Sequence, residues 1–208
     1  MQQNVHMMVG PAGNTVVQVG DDGPLVVDAQ PSDAVPALRA AIRALSPKPI
    51  HTIIDTHVLA ERPGGDEALI KLRGTGASQQ VRVVAHEAVL DRLVKGPTSS
   101  NQPFVGLALN QVISLPINST YTSPGRDFYL NGESVLLYHA PKAHSDGDTI
   151  VHFRGSDVLA VGNLFEPDRY PVIDIGRGGS VNGLIAALNR ILELTVPARF
   201  QEGGTYVV

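Results

Sequence analysis

Asp55-Thr56-His57-Val58-Leu59-Ala60-Glu61-Arg62-Pro63-Gly64-Gly65-Asp66 is the stretch on which the fold is decided. The apolar run Ile50-His51-Thr52-Ile53-Ile54 before it reads as a buried strand. Glu67-Ala68-Leu69-Ile70-Lys71-Leu72 after it reads as a helix. A polar loop therefore sits at the C-terminal end of a strand, the place where α/β proteins put their chemistry.

Upstream, Val5 to Val9 and Asn14 to Val19 read as strands joined by Gly10-Pro11-Ala12-Gly13. Pro24-Leu25-Val26-Val27-Asp28 reads as a third strand ending in an acid. Ser32 or Asp33 is expected to cap the next helix. Its apolar positions Val35, Leu38, Ile42 and Leu45 recur at helical spacing. Downstream, Val81 to Ala85 reads as a strand and His86-Glu87 as the opening of a helix. Residues 95–127 are rich in Gly, Pro, Ser and Asn and are expected to form a long loop, either a lid, a binding loop or a mobile segment. Phe128 to Leu130 and Ser134 to His139 flank the hairpin turn Asn131-Gly132. Thr149 to Phe153 and Val158 to Val161 flank Arg154-Gly155-Ser156-Asp157. The spacing predicts a last helix over 181–194 with Val181, Leu184, Ile185, Leu188, Ile191 and Leu192 on one face. Thr205 to Val208 reads as a final strand. Strands dominate with helices between them, which predicts two packed sheets with helices outside.

Composition narrows the function classes. The chain has 208 residues, 43% of them hydrophobic and only 17% charged, which supports a packed core rather than disorder. A formal net charge of −4 leaves no basic footprint for nucleic acid. No apolar run approaches the ~20 residues that cross a bilayer. With no cysteine there are no disulfides and no thiolate metal site. Residues 1–8 lack the charged start and apolar centre of a signal peptide.

The loop at 55–66 resembles the metal-binding loop of the metallo-β-lactamase superfamily, Asn-Thr-His-x-His-x-Asp-His-x-Gly-Gly-Asn. Thr56, His57, Gly64 and Gly65 stand in its register. Further collinear matches are the opening segment Gly20 to Asp28, Ala85-His86-Glu87, and the second metal loop Ala143-His144-Ser145-Asp146-Gly147-Asp148. Asp157 to Phe165, Tyr170-Pro171-Val172-Ile173-Asp174, Gly178-Gly179-Ser180 and Gly203 to Val208 also match. The resemblance implies an α+β fold, a four-layer αββα sandwich. It implies one domain over 1–208 that stops short of the superfamily's last C-terminal strand and helix. It also implies a bacterial branch whose members are often exported or periplasmic.

The ligand positions depart from that pattern. His57 and His144 match first-site histidines, and Glu61 keeps a carboxylate where an Asp belongs. Leu59 stands at the second histidine, Arg62 at the third, and Asn163 at the bridging carboxylate. A catalytic zinc takes three protein ligands and one open position, so zinc is expected to be held weakly or not at all. The implied protein is a hydrolase-like, truncated member with a degenerate zinc site, a pseudoenzyme. The alternative is a mononuclear zinc hydrolase of an ester, thioester or amide working through His57 and His144. Its partner would be a small-molecule substrate or ligand, with self-association through an uncovered apolar face.

Other polar residues have plainer readings. Asp28 reads as a strand-end acid holding a loop, set against an acid near the site. His139 reads as a buried hydrogen-bonded histidine, set against a ligand. Asp148 reads as bonding backbone groups in its own loop. His6, His51 and His152 read as structural. Arg62 reads as pairing with Glu61 or Asp66, set against an anion-binding role.

Overall fold

The computed structural model describes residues 2–58, 65–71, 80–95, 116–122, 124–201 and 203–208. The expectations for Leu59, Glu61, Arg62 and most of the 95–127 loop fall outside these residues.

The first sheet has the order β1 to β6: β1 (Val5–Gly10), β2 (Gly13–Gln18), β3 (Leu25–Val27), β4 (Thr52–Ile54), β5 (Arg82–His86) and β6 (Ser119–Tyr121). β1, β2 and β3 are antiparallel neighbours, and β3 through β6 run parallel. The second sheet holds β7 (Gly125–Leu130), β8 (Glu133–Ala140), β9 (Asp148–Phe153), β10 (Val158–Ala160) and β11 (Tyr206–Val207). β7 to β10 are antiparallel, and β11 joins β10 in parallel as an edge strand. The helices are α1 (Val35–Leu45), α2 (Gly65–Lys71), α3 (Glu87–Lys95) and α4 (Val181–Leu194).

Strand periodicity sorts each strand's side chains between two cores. Leu25, Val27, Ile54 and Val84 face the second sheet, where they meet Leu137, Val151, Phe153 and Val158. Their alternates Val26, Ile53 and Val83 face outward against Val35, Leu38 and Ile42 of α1 and Leu69 of α2. On the far side, Ile150, Leu159 and Val161 pack against Leu184, Ala187 and Ile191 of α4. The result is the helix–sheet–sheet–helix layering expected from the sequence.

Three local expectations change. Neither Ser32 nor Asp33 caps α1. Its N-cap is Ala34, with no side-chain cap bond. The turn from Pro31 leads into the helix through backbone bonds, and Pro36 removes one N–H that would need a partner. β6 and the start of β7 lie inside the stretch expected to be irregular. Ser119–Tyr121 is a three-residue strand without an apolar run, recruited by register against β5. The α4 stripe divides: Leu184 and Ile191 are buried, while Val181, Ile185 and Leu192 are 61%, 53% and 69% exposed. The expected boundaries of α4 hold, with the Ser180 side chain accepting from the Gly183 N–H. The Asn131-Gly132 turn forms with both residues at positive φ, 52° and 89°.

His86 ends β5, and its Nδ1 accepts from the Ala88 N–H, so it also opens α3 as the sequence suggested. Its ring stacks on His139 with centroids 3.6 Å apart and planes 9° from parallel. His139 in turn bonds through Nε2 to the Asp146 carbonyl. Burial first, and then the facing His139 ring, pulls the His86 pKa down to about 4 from 6.5, with Asp146 opposing. The unfolded chain therefore takes up the proton before the folded one as pH falls. The stabilisation is complete above 6.5 and is lost between 6.5 and about 4. The loss should approach ~3 kcal/mol. Denaturant unfolding across that window should show the decline, and His86→Gln should flatten it. An unchanged slope in His86→Gln would refute the assignment.

Candidate functional site

The site is built where the C-terminal ends of β3 and β4 meet the loop before β9. Asp28 follows β3 with φ 60°, 3% exposed. Its Oδ1 accepts the Thr56 N–H at 2.8 Å and its Oδ2 accepts the Thr56 hydroxyl at 2.7 Å. The hydroxyl proton is thereby committed, so Thr56 Oγ1 acts as acceptor toward His57 Nδ1 at 2.8 Å. This network assigns the Nδ1–H tautomer to His57, and Nε2 is the nitrogen with a lone pair. The Thr56 carbonyl accepts the Thr149 N–H at 2.7 Å, tying this loop to the second sheet.

His144 reaches the same place from the other sheet. Its Nδ1 lies 2.8 Å from the Val172 carbonyl, which can only accept, so His144 carries the same tautomer. The His57 and His144 rings meet edge to face, with centroids 5.4 Å apart and planes at 85°. The His144 loop is clamped by the Asp174 N–H on the His144 carbonyl at 2.8 Å. Gly179 backs onto that carbonyl so closely that a Cβ would come within 2.1 Å of it. Asp148 accepts the Ser145 N–H and hydroxyl at 2.6 and 2.9 Å, the backbone-bonding role read from the sequence. Burial pushes its carboxyl pKa up, opposed by those bonds and by His57 and His144.

Asn163 follows Gly162, whose φ is 54°. A Cβ on Gly162 would lie 2.3 Å from Thr56 Oγ1 and 3.3 Å from His57 Nδ1. Gly162→Ala should thus cost about 2–3 kcal/mol through positive-φ strain and overpacking. It should also perturb the His57 tautomer, read from imidazole 15N shifts. Wild-type stability with unshifted His57 signals would show that the contact is not limiting.

His144 and Asn163 line one cavity of about 560 Å³ with Val58, Val172, Arg169 and Arg177. Asn163 also lines an adjoining cavity of about 830 Å³ with Asp28, Asp33 and Asp168. Arg177 pairs with Asp174 at 2.5 Å, and Arg169 pairs with Glu166. The cleft therefore mixes apolar side chains such as Val58 and Val172 with two internally balanced ion pairs.

Of the residues singled out in the sequence, His57, His144 and Asn163 come together at one edge of the sandwich. Leu59, Glu61 and Arg62 are outside the described residues. Among the described residues no group of three or more His, Asp or Glu is placed to hold a metal ion. Asp28 holds a loop, as read, but that loop carries His57. The reading missed Val172, whose contribution is a backbone carbonyl, and the arginines of the cleft, which carry no local motif.

No family model matches the chain, and no curated protein matches it. Solved structures do. A metallo-β-lactamase with an HARLDQ motif from Cronobacter sakazakii superposes with TM-score 0.65 at 19% identity, covering 93% of this chain and 72% of that one. The BLEG-1 B3 metallo-β-lactamase gives 0.67 at 21% identity, over 91% and 86% of the two chains. The metallo-β-lactamase SMB-1, bound to 2-mercaptoethanesulfonate, gives 0.62 at 22%, over 91% and 73%. The chain has the metallo-β-lactamase fold.

Proposed function

We propose that this metallo-β-lactamase-fold, hydrolase-like chain is a pseudoenzyme whose cleft binds a small molecule and does not run dinuclear zinc hydrolysis. The observation that carries this reading is Asn163 in the cleft beside His144. It puts a neutral amide where the superfamily pattern has a bridging carboxylate. Two imidazoles and an amide do not fit a dinuclear centre, which needs anionic charge between its cations. The sequence adds Leu59, which has no donor atom, and Arg62, a cation at a ligand position. A like charge ~4 Å away would oppose a second ion by ~4 kcal/mol at an effective dielectric of ~20.

The Cronobacter sakazakii relative supports the idea that this fold tolerates such departures. Its HARLDQ motif and the His57-Val58-Leu59-Ala60-Glu61-Arg62 segment here both begin with His and carry an acid fifth. A second reading has one specific observation in its favour. Both imidazoles are anchored through Nδ1, the arrangement that orients metal-ligating histidines through their outer partners. It makes the chain a mononuclear zinc hydrolase of an ester, thioester or amide.

Metal content and turnover separate the two. Purified protein should retain far less than one zinc per chain after mild chelation, because two neutral imidazoles hold an ion weakly. It should hydrolyse none of a panel of β-lactam, ester and thioester substrates above background. Stoichiometric zinc with turnover abolished by His144→Ala would replace the pseudoenzyme reading with the mononuclear one.

A further inference from the structure

We propose that Asn131 is a covalent modification site, a deamidating asparagine whose reaction is gated by a clasp between the two sheets. Asn131-Gly132 turns β7 into β8, and the Asn131 side chain lies against the turn that leads into β3. An asparagine followed by glycine is open to ring closure because no side chain shields the next peptide nitrogen. In that reaction the Gly132 nitrogen gives its proton to a base in solvent and bonds to Asn131 Cγ. The Cγ–Nδ2 bond breaks, and the nitrogen takes up a proton and leaves as ammonia. Water then opens the resulting succinimide at one of its two carbonyls. The product is aspartate or, with the chain rerouted through the side chain, isoaspartate. One water enters and one ammonia leaves, with no change of oxidation state.

The chain has two Asn-Gly pairs, and the fold treats them in opposite ways. Asn182 is exposed at the start of α4, but Gly183 donates its N–H to Ser180 Oγ at 3.1 Å. A Cβ on Gly183 would lie 1.8 Å from the Lys142 carbonyl oxygen, so this backbone is also held in place. There the attacking nitrogen is committed. At Asn131 it is the attacked side chain that is committed. Its Oδ1 accepts the Asp22 N–H at 3.0 Å, and its Nδ2 donates to the Gly23 carbonyl at 3.0 Å and to Gln18 Oε1 at 3.3 Å. The Asn131 N–H closes the clasp on Asp22 Oδ2 at 2.7 Å. Among the described residues no acceptor takes the Gly132 N–H, and nothing lies within 4 Å of where its Cβ would stand. The paired φ values of 52° and 89° are those of a type I′ turn, which faces the Gly132 nitrogen away from the Asn131 side chain. Ring closure requires that peptide to rotate, and the four clasp bonds oppose it. The reaction therefore runs from the opened hairpin.

The product cannot close the clasp again. An oxygen stands where Nδ2 was and faces two acceptors, the Gly23 carbonyl and Gln18 Oε1. Gln18 is not free to turn its amide, because its Nε2 is donated to Glu133 Oε1 at 2.8 Å. The new charge also falls beside the Asp22 carboxylate. Deamidation is thus a one-way loss of a tie between the sheets. It occurs before β3, at the end of that strand away from Asp28 and the cleft.

The test incubates the chain at mildly alkaline pH, folded and in urea. Tryptic peptides 127–142 and 178–190 report the two pairs separately by mass, with isoaspartate methylation reading the rearranged product. Folded Asn131 should deamidate at least ~10-fold more slowly than in urea, since only the opened fraction reacts. Gly20→Ala, whose Cβ would lie 2.6 Å from Asn131 Cβ and Oδ1, should close most of that gap. Asp22→Ala, at an exposed position, removes one clasp bond and should speed the folded reaction ~3-fold or more. Peptide 178–190 should respond to neither variant. Asn131→Asp should lower the melting temperature by ~5 °C while leaving the His57 and His144 15N shifts in place. No deamidation of peptide 127–142 in urea overturns the site. Equal rates folded and unfolded, or no acceleration in either variant, overturn the gating. A wild-type melting temperature for Asn131→Asp overturns the loss of the tie.

Discussion

Leu59→His combined with Arg62→His and Asn163→Asp should raise bound zinc from well under one to about one ion per chain. Each change addresses a separate deficit. The histidine at 59 supplies the third imidazole that a tetrahedral catalytic zinc requires. The histidine at 62 removes a cation whose repulsion reaches ~4 kcal/mol at ~4 Å and an effective dielectric of ~20. The aspartate at 163 restores an anion in the cleft that His144 and Asn163 share. The receiving frame is present: Asp28 and Thr56 already hold His57, and the Val172 carbonyl already holds His144. An affinity gain of at least ~100-fold is expected, since even losing an outer partner of a metal ligand moves metal affinity by ~10–100-fold. Metal content after dialysis against a chelator reads it directly. Added zinc at about 100 times Kd should also stabilise the variant by ~2.7 kcal/mol. The same variant carrying His144→Ala should lose both effects. A folded triple variant that binds no more zinc than the parent would mean the loop frame around 59–62 is not the superfamily's.

Glu133→Ala should destabilise the protein by about 4 kcal/mol, a large part of a typical net stability of 5–15 kcal/mol. Glu133 begins β8 and is 8% exposed. Its Oε2 accepts the Gly155 and Ser156 N–H groups at 2.7 and 2.9 Å. Its Oε1 accepts the Gln18 amide at 2.8 Å and the Ser156 hydroxyl at 2.7 Å. Gln18 lies on β2, so this carboxylate joins the two sheets as well as closing the β9–β10 turn. Truncation strands four donors, three of them buried, and a buried one left unsatisfied costs ~1–3 kcal/mol, with partial recovery as the site relaxes or admits water. For a chain of this length the melting temperature should fall by roughly 10 °C. Glu133→Gln should lose about half as much, because an amide keeps one accepting oxygen and turns the other toward donors with a donor. A drop below ~1 kcal/mol for Glu133→Ala would mean that water replaces the carboxylate without penalty.

How far the site could be read before folding is seen at Asn163 and Thr56. The substitution of an amide for a carboxylate at 163 is a chemical fact of one position, visible in the string. The fate of Thr56 is not. Nothing near Thr56 announces that Asp28, 28 residues earlier, takes both its N–H and its hydroxyl and so sets the tautomer of His57. The stacking of His86 on His139 and the tie from Gln18 to Glu133 are of the same kind.

By itself the sequence determined the strands with apolar runs, the Asn131-Gly132 hairpin, the α4 helix behind Ser180, the layered fold they imply, and the departures at the ligand positions. These rest on side-chain periodicity, on φ preferences and on the chemistry of single residues, all properties of short stretches of chain. Only the tertiary structure decided that Ser119–Tyr121 is a strand, which helix residues are covered, and how the histidines are held. A three-residue strand with no apolar run exists because a neighbour's register offers it hydrogen bonds. The apolar arc of α4 is wider than the sheet beneath it, so packing alone chose Leu184 and Ile191 and left Val181, Ile185 and Leu192 outside. Groups far apart in sequence meet only when two sheets stack, and no local property of either group encodes that distance.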